Sequence, residues 1–340
     1  MGQPGADEMT ARSANARFYV ALGLLGGLYV VLIVAMIGAD LVYTSPDDVW
    51  SRLNSPEIRY AIKLSLVSCL VTAVMSLWVA VPLGYLFSRT RFWGRPIVET
   101  IVDIPIVLPP LVIGLSLLIL FQTPTGKWIE ETTARRAGFL LTYLAIPTLI
   151  AIASVTLLRQ VVPSGHAVLY APAVALAAAL ILRISGLGAA IEAPLQARFG
   201  TRITFQIPSV IIAQFAVSCA FAVRTMRVTF DQISPRAEQV ALTLGCTRSQ
   251  AFWTIALPEA WRGLVSAGTI AWARALGEFG PILIFAGATR MRTEVLSTTV
   301  FLELSVGQLE GAIAVSLLML IVAVVVLVLM RTLGVRGGPA

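Results

Sequence analysis

Few residues in this chain have the types and spacing that could do chemistry, and one arginine–glutamate pair stands out among them. Arg274 and Glu278 lie four residues apart in an apolar stretch, so on a helix they would share one face. A charge inside a bilayer is costly. The pair therefore predicts either a polar element that faces a transport pathway or a self-satisfied ion pair that fixes helix packing, and the residues alone leave both interpretations open.

The other reactive side chains exclude several kinds of site. His166 is the only histidine, and Cys69, Cys219 and Cys246 form no C-x-x-C pair, so a zinc site or a disulfide framework is not expected. The nearest string to a phosphate-binding loop is TGKW at residues 125–128, which lacks the first glycine and the final hydroxyl residue. We expect no cofactor or metal bound by this chain and no enzymatic activity of its own.

The composition points to lipid as the main solvent of the chain. Apolar residues make up 57% of its 340 residues and charged residues only 13%, against about 25% charged in a typical globular domain. This excludes a soluble enzyme, a disordered chain and a secreted disulfide scaffold. The net charge of +7 bears on membrane orientation and not on nucleic acid, because no basic patch is interleaved with aromatic residues.

Eight stretches are apolar over a length that predicts a membrane-spanning helix, so we expect an all-α, polytopic integral membrane protein. With the N-terminus in the cytoplasm, thirteen basic residues lie inside and ten outside, which weakly favours two cytoplasmic termini. The predicted spans are Phe18–Ala39, Ala61–Phe87, Ile101–Phe121, Phe139–Leu158, His166–Leu182, Ile203–Val223, Gly263–Ala288 and Gly311–Met330.

The long polar segment 224–262 separates two late spans and predicts two short helices. Ser234 suits an N-cap, and Pro235 suits the first helical position. Glu238 would complement the helix dipole in the first turn, and Gly245 suits the left-handed position that ends a helix.

A second short helix is predicted after the first one. Thr247 can cap a helix that runs through Trp253, and Pro258 would stop it. Such amphipathic helices either dock on a partner protein or lie on the lipid surface, and the physics alone favours neither. The apolar stripe of the first helix comprises Ala237, Val240, Ala241 and Leu244.

The same segment resembles the EAA loop of the membrane subunits of binding-protein-dependent ABC importers. Gly245, then nine residues, Ile255, one residue and Leu257-Pro258 match its G-x9-I-x-L-P half. In the E-A-A half, the position that aligns on Gly245 is Gln239, with Glu238 one residue earlier, so either could act as the glutamate. The resemblance assigns ATPase coupling to Glu238, Gln239, Ala241, Gly245, Ile255, Leu257 and Pro258.

Two further stretches resemble the molybdate permease branch of these importers, to which sulfate permeases are close. They are ARALGEFG at residues 273–280 with FAG at 285–287, and DIP at 103–105 with VLPP at 107–110. The resemblance covers about 60–121 and 203–330 and leaves out 122–202. It implies a pathway or gate formed by Asp103, Pro105, Pro109, Pro110, Arg274 and Glu278.

The resemblance implies a MetI-like type I permease core in the plasma membrane of a prokaryote. Two copies, expected to be a homodimer, would form the pathway for a tetrahedral oxyanion, with molybdate or tungstate first and sulfate second. Two separate cytoplasmic ATPase subunits would bind ATP and Mg²⁺, and an extracytoplasmic binding protein would deliver the anion.

The resemblance also implies the organisation of the chain. We expect residues 1–17 to be a cytoplasmic tail, 18–59 the first span and an external loop, 60–330 the permease domain and 331–340 a cytoplasmic tail. Within the domain, 122–202 would be an insertion that carries an extra helical hairpin, and 224–262 the coupling loop. A stand-alone secondary transporter, a channel and a membrane enzyme are the alternatives from other classes.

Overall fold

The computed structural model describes residues 6–43, 54–130, 142–143, 146–151, 171–188, 190–191 and 203–335. All regular secondary structure in these ranges is helical, which confirms the all-α prediction. The α-helices are α1 (Ala6–Tyr43), α2 (Pro56–Arg89), α3 (Arg95–Val107), α4 (Pro110–Gln122), α5 (Ala171–Ile184), α6 (Ile207–Gln232), α7 (Arg236–Thr243), α8 (Arg248–Ala251), α9 (Leu257–Glu259), α10 (Trp261–Leu276), α11 (Gly280–Phe285), α12 (Leu296–Ser305) and α13 (Leu309–Val335).

Among the described residues, four helical stretches are long and apolar enough to cross a membrane, and they agree with four of the eight predicted spans. They are Phe18–Val42, Pro56–Arg89, Ile207–Gln232 and Leu309–Val328. The predicted span Ile101–Phe121 is instead the pair α3 and α4, which meet at an angle of 113°. Proline explains the break, because Pro109-Pro110 removes two backbone donors and Pro110 restarts the chain as the first residue of α4.

The three other predicted spans have different outcomes. The span Gly263–Ala288 is divided into α10 and α11, because the first helix ends at Gly277 and the second starts at Gly280, with Pro281 in its first turn. Only residues 171–182 of the span His166–Leu182 are described, all within α5, so this span stays a prediction. The span Phe139–Leu158 lies outside the described residues except for 142–143 and 146–151.

The core is formed by α2, α6 and α10, which pack through small side chains. Gly84 on α2 lies so close to α6 that an added Cβ would stand 2.8 Å from the Met226 Cβ. Alanines 222, 267, 271 and 275 are fully buried in the same core. Close backbone approach of this kind is the main source of helix association in lipid, where apolar burial gives little.

A buried polar network joins the same three helices at mid-length. The Thr72 hydroxyl on α2 donates to the Gln214 Oε1 on α6 at 3.1 Å. The Gln214 Nε2 donates to the carbonyl oxygen of Ala275 on α10 at 3.2 Å. Since Thr72 and Gln214 are both almost fully buried, these bonds satisfy polar groups that would otherwise be costly and so specify the register of the three helices.

The two broken helices pack against each other at their breaks. A Cβ added to Gly114 on α4 would stand 2.7 Å from the Cα of Pro281 on α11. A Cβ added to Gly280 would stand 3.1 Å from the Leu111 nitrogen and 3.2 Å from the Pro110 Cβ. The sequence analysis treated these stretches as two separate spans and did not predict that they meet in one contact.

Two glutamates are buried in this region, Glu294 in the loop between α11 and α12 and Glu303 on α12. Arg290 Nη2 lies 2.8 Å from Glu303 Oε1, and Glu303 is 3% exposed. Burial raises the pKa of the Glu294 carboxyl above its ordinary value, although the Thr299 hydroxyl and the charge of Arg290 act in the opposite direction. The helix α12 that follows was not predicted, because its ten residues fall in a stretch interpreted as an external loop.

Hydrogen bonds join the early part of the predicted insertion 122–202 to the residues that directly follow it. One carboxylate oxygen of Glu130 accepts hydrogen bonds from the backbone nitrogens of Ile203 at 2.7 Å and Thr204 at 2.9 Å. The Thr204 hydroxyl donates to the same oxygen at 3.0 Å. Residues 73 positions apart are thus held together by one side chain, while the prediction that the intervening chain is an insertion stays a prediction.

Candidate functional site

The first helix of the polar segment, α7, begins one residue later than the sequence predicted. Its N-cap is Pro235, which has helical φ and ψ and no side-chain cap, and not Ser234. The Ser234 hydroxyl instead accepts a long hydrogen bond of 3.4 Å from the Arg236 nitrogen. Because proline fixes φ near the helical value and has no N–H to satisfy, it serves as the boundary itself.

The end of α7 confirms the role predicted for Gly245. Its φ is +91°, in the left-handed region that favours glycine. The Gly245 nitrogen donates to the Leu242 carbonyl at 3.1 Å, and the Cys246 nitrogen donates to the Ala241 carbonyl at 3.0 Å. These two bonds form a complete Schellman motif, which turns the chain sharply between α7 and α8.

The second helix starts as predicted at Thr247 but does not stop at Pro258. The Thr247 hydroxyl accepts from the Gln250 nitrogen at 3.2 Å, and the Gln250 Oε1 accepts from the Thr247 nitrogen at 2.8 Å, which is a capping box. The helix then continues through the π-helical segment Phe252–Ala256 into α9, which contains Pro258. The wider π turn accommodates the proline ring, which would clash with the carbonyl four residues earlier in a regular α-helix.

Glu238 is the acidic residue that the fold buries in this segment. It is 7% exposed, whereas the neighbouring Gln239 is exposed. Its Oε2 accepts a hydrogen bond of 2.7 Å from the Tyr85 hydroxyl, and its Oε1 accepts one of 3.0 Å from the Arg89 Nε. Of the two residues that could act as the glutamate of the motif, only Glu238 is therefore fixed to the membrane helices.

Arg89 connects three parts of the chain through one guanidinium. Beside its ion pair with Glu238, its Nη1 donates to the Phe230 carbonyl at 2.8 Å and its Nη2 donates to the Ile233 carbonyl at 2.9 Å. We call Tyr85, Arg89, Glu238 and these two carbonyls the Arg89 anchor. It joins the end of α2 and the end of α6 to the first turn of α7.

Sequence reasoning missed Tyr85 and Arg89 in this role. Arg89 was only counted among the basic residues of the predicted cytoplasmic side, and 149 positions separate it from Glu238. The available signal was an arginine in the last turn of a span on the same predicted side of the membrane as an unpaired glutamate.

Aromatic contacts tie the second helix of the segment to the same anchor. The Tyr85 ring lies edge-on to Phe230 with 5.4 Å between ring centroids, and edge-on to Phe252 with 4.7 Å. Such contacts add about 0.5–1.5 kcal/mol each beyond area burial. The anchored parts of α7 and of the π-helical segment are thus fixed to α2 and α6 together.

The outer side of the segment presents apolar side chains that no described residue covers. Leu244 is 80% exposed, Val240 57% and Trp253 42%. The other residues of the motif contribute inward: Ala241 is buried, and Ile255, Leu257 and Pro258 are half-buried. The segment therefore has a buried, anchored side and an apolar, open side, which is the form of a docking surface.

The pathway candidates Arg274 and Glu278 form an ion pair at the end of α10. Arg274 Nη2 lies 3.1 Å from Glu278 Oε2, with Arg274 32% exposed and Glu278 1% exposed. The Arg274 guanidinium also lies 5.7 Å from the Phe221 ring centroid on α6. The backbone carbonyl of Glu278 accepts a hydrogen bond of 2.6 Å from the Ser297 hydroxyl, so the break after α10 is bonded to α12.

The proline candidates lie on the other broken helix. Asp103 and Pro105 are half-buried on α3, and Asp103 forms no ion pair with any described residue. Pro109 lies in the break, and Pro110 contacts Gly280, two residues after Glu278. The structure therefore brings Pro110 to the break beside Glu278 but does not pair Asp103 with Arg274.

Comparison with known proteins decides the family. Residues 80–336 match the family described as "Binding-protein-dependent transport system inner membrane component". The chain belongs to this family. It is accordingly a multi-pass inner-membrane permease subunit of an ABC importer, as the EAA-like segment predicted.

Similar proteins carry the names of two transport systems. The chain is 24% identical over 335 residues to the sulfate transport system permease protein CysT of Escherichia coli, covering 97% of each chain. It is 24% identical over 278 residues to the molybdate/tungstate transport system permease protein WtpB of Pyrococcus abyssi, covering 82% of this permease and 80% of that one.

The fold is also that of a solved ABC transporter. The permease superposes with a TM-score of 0.58 and 18% identity on a chain of a bacterial alginate ABC transporter in complex with an alginate pentasaccharide-bound periplasmic protein, over 96% of both chains. This confirms the MetI-like permease fold. The expected count of about eight spans is not confirmed, because the described residues contain four spans, or five with the bent pair.

The Arg89 anchor predicts a specific effect of Arg89→Lys. One ammonium group is too compact to reach the Glu238 carboxylate and both carbonyls at once. We expect the variant to lose about 1–3 kcal/mol of stability, the usual contribution of a charge-assisted hydrogen bond, and to transport more slowly. Thermal unfolding of the purified protein measures the loss.

The matched control is Arg91→Lys, since Arg91 is exposed two residues away and forms no ion pair with any described residue. Equal melting temperatures for Arg89→Lys and Arg91→Lys would contradict the anchor.

Proposed function

We propose that this permease forms the membrane pathway of an ATP-driven importer for a tetrahedral oxyanion, molybdate or tungstate first. In this proposal two copies make a homodimer, a separate cytoplasmic ATPase supplies the energy, and an extracytoplasmic binding protein delivers the anion. Both termini and the segment 224–262 lie in the cytoplasm. Sulfate is the alternative substrate.

The coupling role is supported by the difference between the two sides of the segment around Gly245, one apolar and exposed and the other bonded to the spanning helices. Val240, Leu244 and Trp253 offer apolar area that water would disfavour, which suits contact with a partner protein. The opposite side is held by the Arg89 anchor to the ends of α2 and α6. A partner that grips the open side would therefore move both spanning helices, since a rigid connection transmits displacement.

The need for a separate ATPase follows from the chemistry of the chain. It has no phosphate-binding loop of the G-x-x-x-x-G-K-[S/T] type, so ATP and Mg²⁺ are assigned to the partner. This proposal gives the permease no catalytic residue, and its part is to convert ATPase closure into helix movement.

Two observations support an oxyanion as the cargo. ARALGEFG at residues 273–280 supplies an arginine inside the membrane region, and guanidinium binds oxyanions through paired N–H donors. Similar permeases are named for sulfate and for molybdate and tungstate. The sulfate-named relative matches more of the chain, which is why sulfate is kept as the specific alternative.

Gly245→Val should prevent co-purification of the ATPase with the permease. A β-branched residue strongly disfavours the left-handed backbone at this position, so the turn that presents Leu244 would be lost. Pull-down of the ATPase from detergent extracts measures the loss. Gly307→Val is the control, because Gly307 has a similar φ of +79° in the loop between α12 and α13. Full ATPase recovery with Gly245→Val would count against the docking role.

Uptake in cells should separate the substrate alternatives. Deleting the permease is expected to abolish uptake of molybdate and tungstate. If sulfate is the transported anion, sulfate uptake is lost instead. Radiolabelled anion uptake, with and without the chain restored from a plasmid, is the measurement. Unchanged uptake of all three anions would defeat the oxyanion assignment.

Cys246 provides a direct test of orientation. It is exposed beside Gly245, whereas Cys69 is buried and Cys219 is half-buried in spanning helices. A membrane-impermeant maleimide should label Cys246 in inverted vesicles and leave it unlabelled on whole cells, with Cys246→Ser as the blank. Labelling on whole cells would place the segment outside and end the coupling proposal.

A further inference from the structure

An open cleft lies between the C-terminal half of α6 and the start of α10, and it contains none of the residues assigned to ATPase coupling or to the gate. Its volume is about 510 Å³. It is held narrow at one point by Gly263, where an added Cβ would overlap the side chain of Thr229. We call it the arginine cleft, and its lining residues are Arg224, Thr225, Val228, Thr229, Gln232, Arg262, Gly263 and Ser266.

The charges of the arginine cleft are uncompensated. Arg224 and Arg262 both line it, no acidic residue does, and neither arginine forms an ion pair with any described residue. The neighbouring Arg227, by contrast, lies 3.2 Å from Glu99 and 3.8 Å from Asp231. Arg227 is thus ion-paired with described residues, whereas Arg224 and Arg262, which line the cleft, are not.

Hydrogen-bond donors add to this positive charge. The hydroxyls of Thr225 and Thr229 donate to helix carbonyls of α6 at 2.9 Å, so their donors are used. The Ser266 hydroxyl and the Gln232 amide form no hydrogen bond with any described residue. The neutral groups offer acceptors as well as donors, so it is the two guanidinium groups, which only donate and carry positive charge, that favour an anion over a cation.

Arg274, the arginine considered for the pathway, lies on the same pair of helices as the cleft. Phe221 lies one helical turn before Thr225 on the same face of α6, and the Arg274 guanidinium lies over its ring at 5.7 Å. Arg224 and Arg262 are exposed, so water and salt screen their charges and a bound anion would be held weakly. Weak binding is what release of a transported anion requires.

We propose that the arginine cleft binds a doubly charged tetrahedral oxyanion at the cytoplasmic end of the pathway, through the guanidinium groups of Arg224 and Arg262. The inference rests on the proposed function for its direction of transport. The phosphate of an anionic lipid headgroup is also a tetrahedral oxyanion, with one negative charge, so the test must separate the free anion from the lipid.

The test uses the assembled importer in nanodiscs of neutral phosphatidylcholine, with Cys246→Ser as background and Ser266→Cys as reporter. The rate at which an anionic methanethiosulfonate reagent modifies residue 266 is measured by peptide mass spectrometry. Molybdate, tungstate or sulfate is expected to slow this rate several-fold relative to chloride at equal ionic strength. Replacing both arginines by Arg224→Gln and Arg262→Gln should remove the protection, whereas Arg91→Gln, which lies outside the cleft, should keep it.

Each result has one meaning. Protection by a free anion supports the transported ion as occupant, and protection only when phosphatidylglycerol is added assigns the same oxyanion chemistry to a lipid headgroup. Protection by neither, or protection that survives in the double arginine variant, overturns the proposal. If cells take up the anion normally but residue 266 is not protected, only the binding role of the cleft is rejected. If residue 266 is protected but deleting the chain does not change uptake, only the proposed transport function is rejected.

Discussion

The guanidinium of Arg89 is the constraint on which the ends of α2 and α6 and the start of α7 depend. The last carbonyls of a helix have no partner within it, and Arg89 satisfies two of them, at Phe230 and Ile233, just where α6 ends. A cation at a helix C-terminus is also favoured by the helix dipole. The same side chain then holds the carboxylate of Glu238. One residue therefore satisfies the carbonyls at the end of α6, fixes the first turn of α7 and joins both helices to α2.

This arrangement explains why a segment that carries exposed leucine and valine side chains keeps a defined orientation. The buried side is held by short, directional hydrogen bonds to Glu238, from the Tyr85 hydroxyl at 2.7 Å and from the Arg89 Nε at 3.0 Å. The open side is apolar, and apolar contacts are non-directional, so they depend little on small changes in geometry. The orientation of the segment therefore depends on the bonds of its buried side, and the open side places no directional demand on what it contacts.

The local chemistry of the segment could be predicted from the sequence because it depends on neighbouring residues. Gly245 at a left-handed C′ position and the capping box of Thr247 each involve residues within a few positions of one another. The Arg89–Glu238 pair and the contact of Pro110 with Gly280 could not be predicted, because they join residues more than a hundred positions apart. Helical periodicity indicates which face of a helix is apolar but not which other helix that face meets.

The breaks in the spanning helices show a second kind of limit. Hydropathy correctly marked Ile101–Phe121 and Gly263–Ala288 as apolar, since composition is all that it measures. It cannot show that the chain turns through 113° at Pro109, or that the second stretch stops at Gly277. Freed backbone groups at membrane depth need protein around them, and here the two breaks supply it for each other through Gly114 and Pro281.

The bonds from Ile203 and Thr204 to Glu130 have a consequence for how this chain can change over time. A single carboxylate thus joins two chain positions that are 73 residues apart. The entropic cost of closing a connection of this length grows only logarithmically with the number of residues in it. Lengthening or trimming the chain between the two positions should therefore cost the permease little stability, which makes this part of the chain tolerant of inserted modules.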